Sequence, residues 1–218
     1  GIVQDARGYL WIGTPDGLNR YDGYKFDIFT PDSADHYIRT VAADSTGLIW
    51  AASARTLTSY DAANERFINH TFPEGINANV LLPVGGGNIV AGTSAGLYIF
   101  NSDSESFSRM ESLSGINVTA LALYNNKLYA GTDKGSVYEI GNDGEVRCLP
   151  LDVHDEINVF LVDRNRLLIG TEGFGLISYD ANTDKGTRID PDFQAPYVRS
   201  LAVDSQHRLW VGTFTGLY

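Results

Sequence analysis

Sulfur is nearly missing from this 218-residue chain, in which Met110 and Cys148 are the single copies of their types. One thiol cannot form an internal disulfide, so stability has to come from packing. A chain of this length buries enough apolar surface to do so without cross-links or metal. The lone Cys148 fits a reducing compartment and a bacterial periplasm equally. Positive charge is scarce as well. Sixteen Lys plus Arg stand against 27 Asp plus Glu, a net charge of −11. Nucleic-acid binding rests on cations meeting phosphates, so no nucleic-acid partner is expected, and a broad anionic membrane surface is equally disfavoured. No apolar run approaches the roughly 18 to 20 residues that span a bilayer as a helix. The chain lacks both an initiator Met and a basic-then-apolar leader, so its natural start is expected to lie upstream. No sustained 3.6-residue apolar period occurs either, which predicts almost no helix.

One short block recurs six times: Leu10–Thr14, Ile49–Ser53, Ile89–Thr93, Leu128–Thr132, Leu167–Thr171 and Leu209–Thr213. Its fourth residues, at 13, 52, 92, 131, 170 and 212, are spaced 39, 40, 39, 39 and 42 apart. Around each block the chain reads as four strands. An apolar stretch such as Val198–Val203 leads through a turn into the block. A Gly-Leu pair (Gly17, Gly96, Gly175, Gly216) opens a third strand, and an aromatic-bearing fourth strand follows. Asp, Gly and Asn clusters between β-branched and aromatic runs are hairpin chemistry. Four short strands per forty-residue repeat predict an all-β fold, a β-propeller of four-stranded antiparallel blades. An open array of the same strands would leave long edges unpaired. The blades fall at about 1–36, 37–76, 77–115, 116–155, 156–196 and an incomplete 197–218, so a segment of a larger, seven-bladed ring is expected.

The stretch Gln4–Gly23 (QDARGYLWIGTPDGLNRYDG) resembles the two-component regulator propeller repeat, whose pattern is roughly D-x-x-G-x-L-W-I-G-T-x-x-G-L-x-R-Y-D. Val203–Leu217 is nearly as similar. The middle repeats depart from it at Ala52, Arg55, Thr56 and Ser136. The resemblance implies a periplasmic sensor domain tethered to a histidine kinase or hybrid kinase–regulator. It also implies an oligosaccharide or other small ligand, the remainder of the parent kinase as partner, and a homodimer.

Several residues carry side chains suited to chemistry. Trp11, Trp50 and Trp210 share one column of the second strand, where aromatics pack between blades. The Gly-Thr pairs read as structural, glycine for close approach and threonine for a turn. Asp180–Gly186 superficially resembles a calcium loop, but Lys185 occupies the glycine position and Pro191 the final glutamate, so a hairpin turn is expected. His36, His70, His154 and His207 show no metal spacing, and no metal or cofactor is expected. No nucleophile elbow, phosphate loop or zinc-helix motif occurs, and no catalytic residue is assigned.

One column stands out. The fifth residue before each first turn is Arg39, Asn79, Thr119, Asn158 or Arg199. Two positions on come Val41, Leu81, Leu121, Phe160 and Leu201, and strand alternation would put both sets on one face. The polar set would then ring the mouth of the central channel, either as capping of sheet ends or as a ligand site. Loops after the Gly-Thr pairs open on the same side and add Arg55, Lys134, Glu172, Phe174 and Phe214. Guanidinium forks suit carboxylate or sulfate, amides suit hydroxyls, and aromatic faces suit sugar rings. The reading is a ligand-binding sensor. The alternatives are a propeller enzyme resembling a streptogramin lyase, built on Glu156, Glu172 and His154, and a purely protein-binding propeller. Dimerisation through open sheet edges is also expected.

Overall fold

The computed structural model describes residues 1–30, 36–61, 64–73, 75–189 and 196–218. These form six antiparallel sheets, five of four strands and one of two, each a meander. The first holds β1 (Ile2–Gln4), β2 (Leu10–Thr14), β3 (Gly17–Tyr21) and β4 (Phe26–Phe29). The second holds β5 (Thr40–Ala43), β6 (Ile49–Ala52), β7 (Thr56–Asp61) and β8 (Arg66–Thr71). The third holds β9 (Ala78–Gly85), β10 (Asn88–Thr93), β11 (Gly96–Asn101) and β12 (Ser106–Arg109). The fourth holds β13 (Val118–Tyr124), β14 (Lys127–Thr132), β15 (Val137–Ile140) and β16 (Val146–Cys148). The fifth holds β17 (Ile157–Asp163), β18 (Arg166–Thr171), β19 (Leu176–Asp180) and β20 (Lys185–Ile189). The sixth pairs β21 (Val198–Val203) with β22 (Leu209–Thr213). One 3-10 turn, Glu111–Leu113, is the sole helical element among the described residues. The sheets fall into two compact units, Gly1–Ile116 and Asn117–Tyr218, with three sheets in each.

Three of the six repeats lock their first turn with an aspartate. Asp5 Oδ1 accepts the N–H groups of Arg7 and Tyr9, and its Oδ2 accepts Trp11 Nε1 at 2.9 Å. Asp44 binds Thr46, Leu48 and Trp50 Nε1 (2.8 Å) in the same way. Asp204 does so with Gln206, Arg208 and Trp210 Nε1 (2.9 Å). The indole can therefore enter an apolar interface without stranding its donor. The spacing of five residues between Asp and Trp was the visible signal of this clasp.

The Gly-Thr pairs do what their chemistry suggests. Thr14, Thr93, Thr132, Thr171 and Thr213 each donate the hydroxyl to a backbone carbonyl across the following turn. The glycines mark close approaches between sheets. A Cβ built on Gly131 would meet Ile157 Cγ2 at 2.5 Å, and one on Gly170 would meet Val198 Cγ1 at 2.6 Å.

Cores form where the face of one sheet meets the back of the next. Trp11 and Leu18 pack against Val41, Ile49, Ala51 and Tyr60, and Trp50 and Leu57 against Leu81, Ile89 and Phe100. In the second unit Tyr129 and Val137 meet Leu167, Ile169 and Tyr179, while Leu168 and Leu176 meet Val198 and Val211. The fourth-to-fifth interface carries a polar network as well. Buried Glu139 accepts Tyr129 Oη at 2.6 Å and Lys127 Nζ at 2.8 Å, and Arg147 links Glu139 to Asp184. The Asp180–Asp184 segment is a hairpin turn, as expected, with Asp180 Oδ1 accepting Asn182 N–H and Asp184 at φ +55°. Pro191 lies outside the described residues.

Simple alternation fails along the innermost strands. Ala78 and Val80 pair with the consecutive residues Thr93 and Gly92, which leaves Asn79 as the extra residue of a β-bulge. Thr119, Asn158 and Arg199 occupy the same bulge in β13, β17 and β21. A bulge inserts one residue and resets the parity of the strand. Thr119 Oγ1 accordingly reaches forward to Ile157 O at 2.6 Å, and Asn158 Nδ2 to Val198 O at 3.0 Å, both on the next sheet. Leu81, Phe160 and Leu201 instead pack toward the preceding sheet. The two columns do not share a face, contrary to the reading from alternation.

Candidate functional site

The second unit brings together four of the sequence-selected residues, Asn158, Glu172, Arg199 and Phe214. Glu172 follows β18, and its N–H donates to Glu156 O at 2.9 Å, which fixes the start of the loop. Glu172 Oε2 accepts Asn158 Nδ2 at 2.7 Å, and Oε1 accepts Arg199 Nη2 at 2.6 Å. The Arg199 guanidinium carbon lies 5.2 Å from the centroid of the Phe214 ring, and Phe214 meets Tyr197 edge-on at 6.3 Å. Phe214 is largely exposed, and the side chains of Arg199 and Glu172 remain 47% and 30% accessible. An ion pair this open contributes about 0–1 kcal/mol, so its role is to orient groups rather than to hold the sheets together. Chemically it offers a guanidinium, a carboxylate, an amide and two aromatic rings at one solvent-facing spot.

Glu156 borders this cluster. Burial first, and then the neighbouring Glu172 charge, push its carboxyl above the ordinary range, while Arg199 pulls the other way. Like-charge proximity and partial desolvation both favour the protonated form.

The other selected residues stand apart from the four. Phe174 carries Arg188 over its ring at 5.2 Å, Lys134 is an exposed loop residue, and Thr119 spends its hydroxyl on backbone carbonyls. In the first unit, Arg39 lies over Tyr37 at 5.6 Å and Asn79 occupies the β9 bulge. Arg55 lines a cavity of about 540 Å³ with Thr71, Phe72, Pro73 and Ile76. Among the described residues no three His, Cys, Asp or Glu side chains form a group able to hold a metal ion. His154 lies beside Asp152 at 3.3 Å, both exposed, and the His70 ring is tilted 45° against Phe100 at 4.4 Å.

Sequence reasoning missed Tyr197 and, as a partner of the cluster, Glu156. A signal was present. Two residues before Arg39, Asn79, Thr119, Asn158 and Arg199 lie Tyr37, Asn77, Asn117, Glu156 and Tyr197, a second polar or aromatic column. In three of them, Asn77, Asn117 and Glu156, the main-chain carbonyl accepts a backbone N–H from the loop after the Gly-Thr strand.

Residues 192–215 match the family model described as Two component regulator propeller. No curated protein matches the chain. Among solved structures it is similar to the extracellular domain of the hybrid two component system BT4673 from B. thetaiotaomicron. That match has 19% identity and a TM-score of 0.70, and covers 100% of this chain and 37% of that one. The corresponding domain of BT3049 from the same organism matches at 16% identity and TM-score 0.71, over 99% of this chain and 39% of that one. Virginiamycin B lyase from Staphylococcus aureus, solved with quinupristin, matches at 9% identity and TM-score 0.85, over 99% and 77%. At these identities the likeness shows the fold, which is a β-propeller. The chain spans little more than a third of the length of these two extracellular domains.

Proposed function

We propose, from the premise that the chain carries the two-component regulator propeller repeat, that it is an extracytoplasmic sensor segment of a hybrid two-component system. Its ligand is a glycan-derived small molecule, and signal output belongs to the remainder of the parent histidine kinase. The observation that carries the reading is the convergence of Asn158, Glu172, Arg199 and Phe214, with Tyr197 beside them. Sugars present hydroxyl edges and apolar C–H faces, and this cluster offers hydrogen-bonding groups beside exposed rings.

Thermal-shift titration against neutral and acidic oligosaccharides tests it, because a ligand of the native state raises stability with its concentration. A saturating shift with one sugar class is expected. Arg199→Ala should then weaken binding by about 1.5–3 kcal/mol while folding is little changed. Unchanged affinity in Arg199→Ala and Phe214→Ala would remove the site, and no shift across the panel would remove the ligand class. The alternative lyase reading rests on shared fold with virginiamycin B lyase alone, at a TM-score of 0.85. Metal-dependent cleavage of a streptogramin, lost in His154→Ala, would establish it instead.

A further inference from the structure

The second repeat departs from its neighbours at one turn, and a cavity lies there. Three residues beyond the end of the repeated block, four repeats carry a glycine (Gly17, Gly96, Gly135 and Gly216), whereas the second carries Thr56. A Cβ built on Gly17, Gly96 or Gly135 would lie 2.5 to 2.6 Å from the carbonyl oxygen of Phe29, Leu113 or Val153. In those repeats the chain at or beyond the end of the fourth strand closes down on the turn. Thr56, whose side chain is buried, forbids so close an approach. Between its turn and the segment that follows β8 a cavity of about 540 Å³ remains.

The walls of this cavity are fixed from within. Arg55 O accepts Phe72 N–H at 2.8 Å, which ties the base of the arginine to the apolar floor. Asn77 N–H donates to Ser94 Oγ at 3.2 Å, and Asn77 O accepts Ser94 N–H at 2.9 Å. Phe72 and Ile76 are buried, and Phe107 of the third sheet backs the Phe72 ring at 4.8 Å. Arg147 and Arg199 each spend their guanidinium on a carboxylate. Among the described residues no hydrogen bond or ion pair engages the Arg55 guanidinium or the Asn77 side-chain amide.

We propose that this cavity binds a small aromatic carboxylate, with the acid group on Arg55 and the ring against Phe72, Pro73 and Ile76. An unpaired guanidinium presents a planar fork that a carboxylate meets with two parallel hydrogen bonds. An aromatic floor receives an aromatic ring, whereas the hydroxyls of a sugar would be left there without partners. The volume lies within the roughly 300–1,000 Å³ of small-molecule sites. The site belongs to the first unit, and the Glu172 cluster to the second.

Ligand-observed NMR titration of the whole chain with phenylacetate tests the proposal, with phenylacetamide as the neutral isostere. Phenylacetate should saturate with a Kd of about 1 mM or below, the range open to about ten non-hydrogen atoms. Phenylacetamide should bind at least about tenfold more weakly, because it cannot take the charged fork. Arg55→Gln should weaken phenylacetate at least about tenfold and leave phenylacetamide unchanged. The Arg55 side chain is exposed, so the variant should keep the wild-type melting temperature, which circular dichroism checks. No saturation by about 20 mM, equal binding of acid and amide, or undiminished binding in folded Arg55→Gln overturns the proposal. Loss of phenylacetate binding in folded Arg199→Ala also overturns it, by placing the acid on the Glu172 cluster.

Discussion

At the residue scale, the aspartate clasp recurs in three of the six repeats. Its carboxylate satisfies two turn amides and one indole at once, which a neutral side chain of similar size cannot do. At Asp44 burial opposes ionisation, but bonds from Thr46, Trp50 and Leu48 outweigh it and hold the carboxyl below its usual range. At Asp204 the Arg208 amide and the Trp210 indole hold it down at about 2. A depressed carboxylate contributes stability that is complete above its unfolded pKa of about 4 and is lost as pH falls through the folded value. Asp44→Ala should therefore cost about 2 kcal/mol in urea unfolding at pH 7, by stranding the indole N–H of buried Trp50. The loss should shrink as the solution is taken toward pH 2. Asp204→Ala, whose indole is half in water, should cost less. Glu156 works in the opposite sense. Its raised carboxyl favours the folded state fully only below the unfolded value, and that contribution is lost as pH rises through the folded one. Glu156→Gln should raise the melting temperature at pH 7 and leave it unchanged at pH 4.

At the scale of elements, sheets approach closely only where glycine permits it. Gly131→Ala would push a methyl group into Ile157, whose β-branched side chain has little room to turn away. It should destabilise the second unit by about 1–3 kcal/mol in the same urea measurement. The forty-residue register made nearly every strand legible, because turn residues and apolar blocks recur in phase. The bulge was not legible. Counting every second residue assumes that no residue is added, and Thr119 or Asn158 looks like any polar strand residue until its hydrogen-bond partner on the next sheet is seen. Part of the candidate cluster could be read and part could not. Asn158 and Arg199 fall in the repeating column, and Glu172 and Phe214 in the repeating loops. That Glu172 would bind both of the first two depends on distances between separate strands, which no local spacing encodes.

At the scale of the whole molecule, the charge of −11 opposes the approach of any anionic ligand. That repulsion reaches over roughly a Debye length, about 10 Å at 0.1 M salt. The association rate of an acidic oligosaccharide should therefore rise from about 50 to 500 mM sodium chloride, measured by stopped flow, and that of a neutral one should not change.

The aspartate clasp also bears on how the chain folds. It joins residues only six apart, Asp5 to Trp11, Asp44 to Trp50 and Asp204 to Trp210. Closing so short a loop costs little chain entropy, and contacts of low sequence separation form early. Each clasped turn can organise its own inner hairpin before any neighbouring sheet is in place. A stretch of gene copied in tandem would then carry its own nucleation site with it, so lengthening the array by duplication would not require a new way to begin folding.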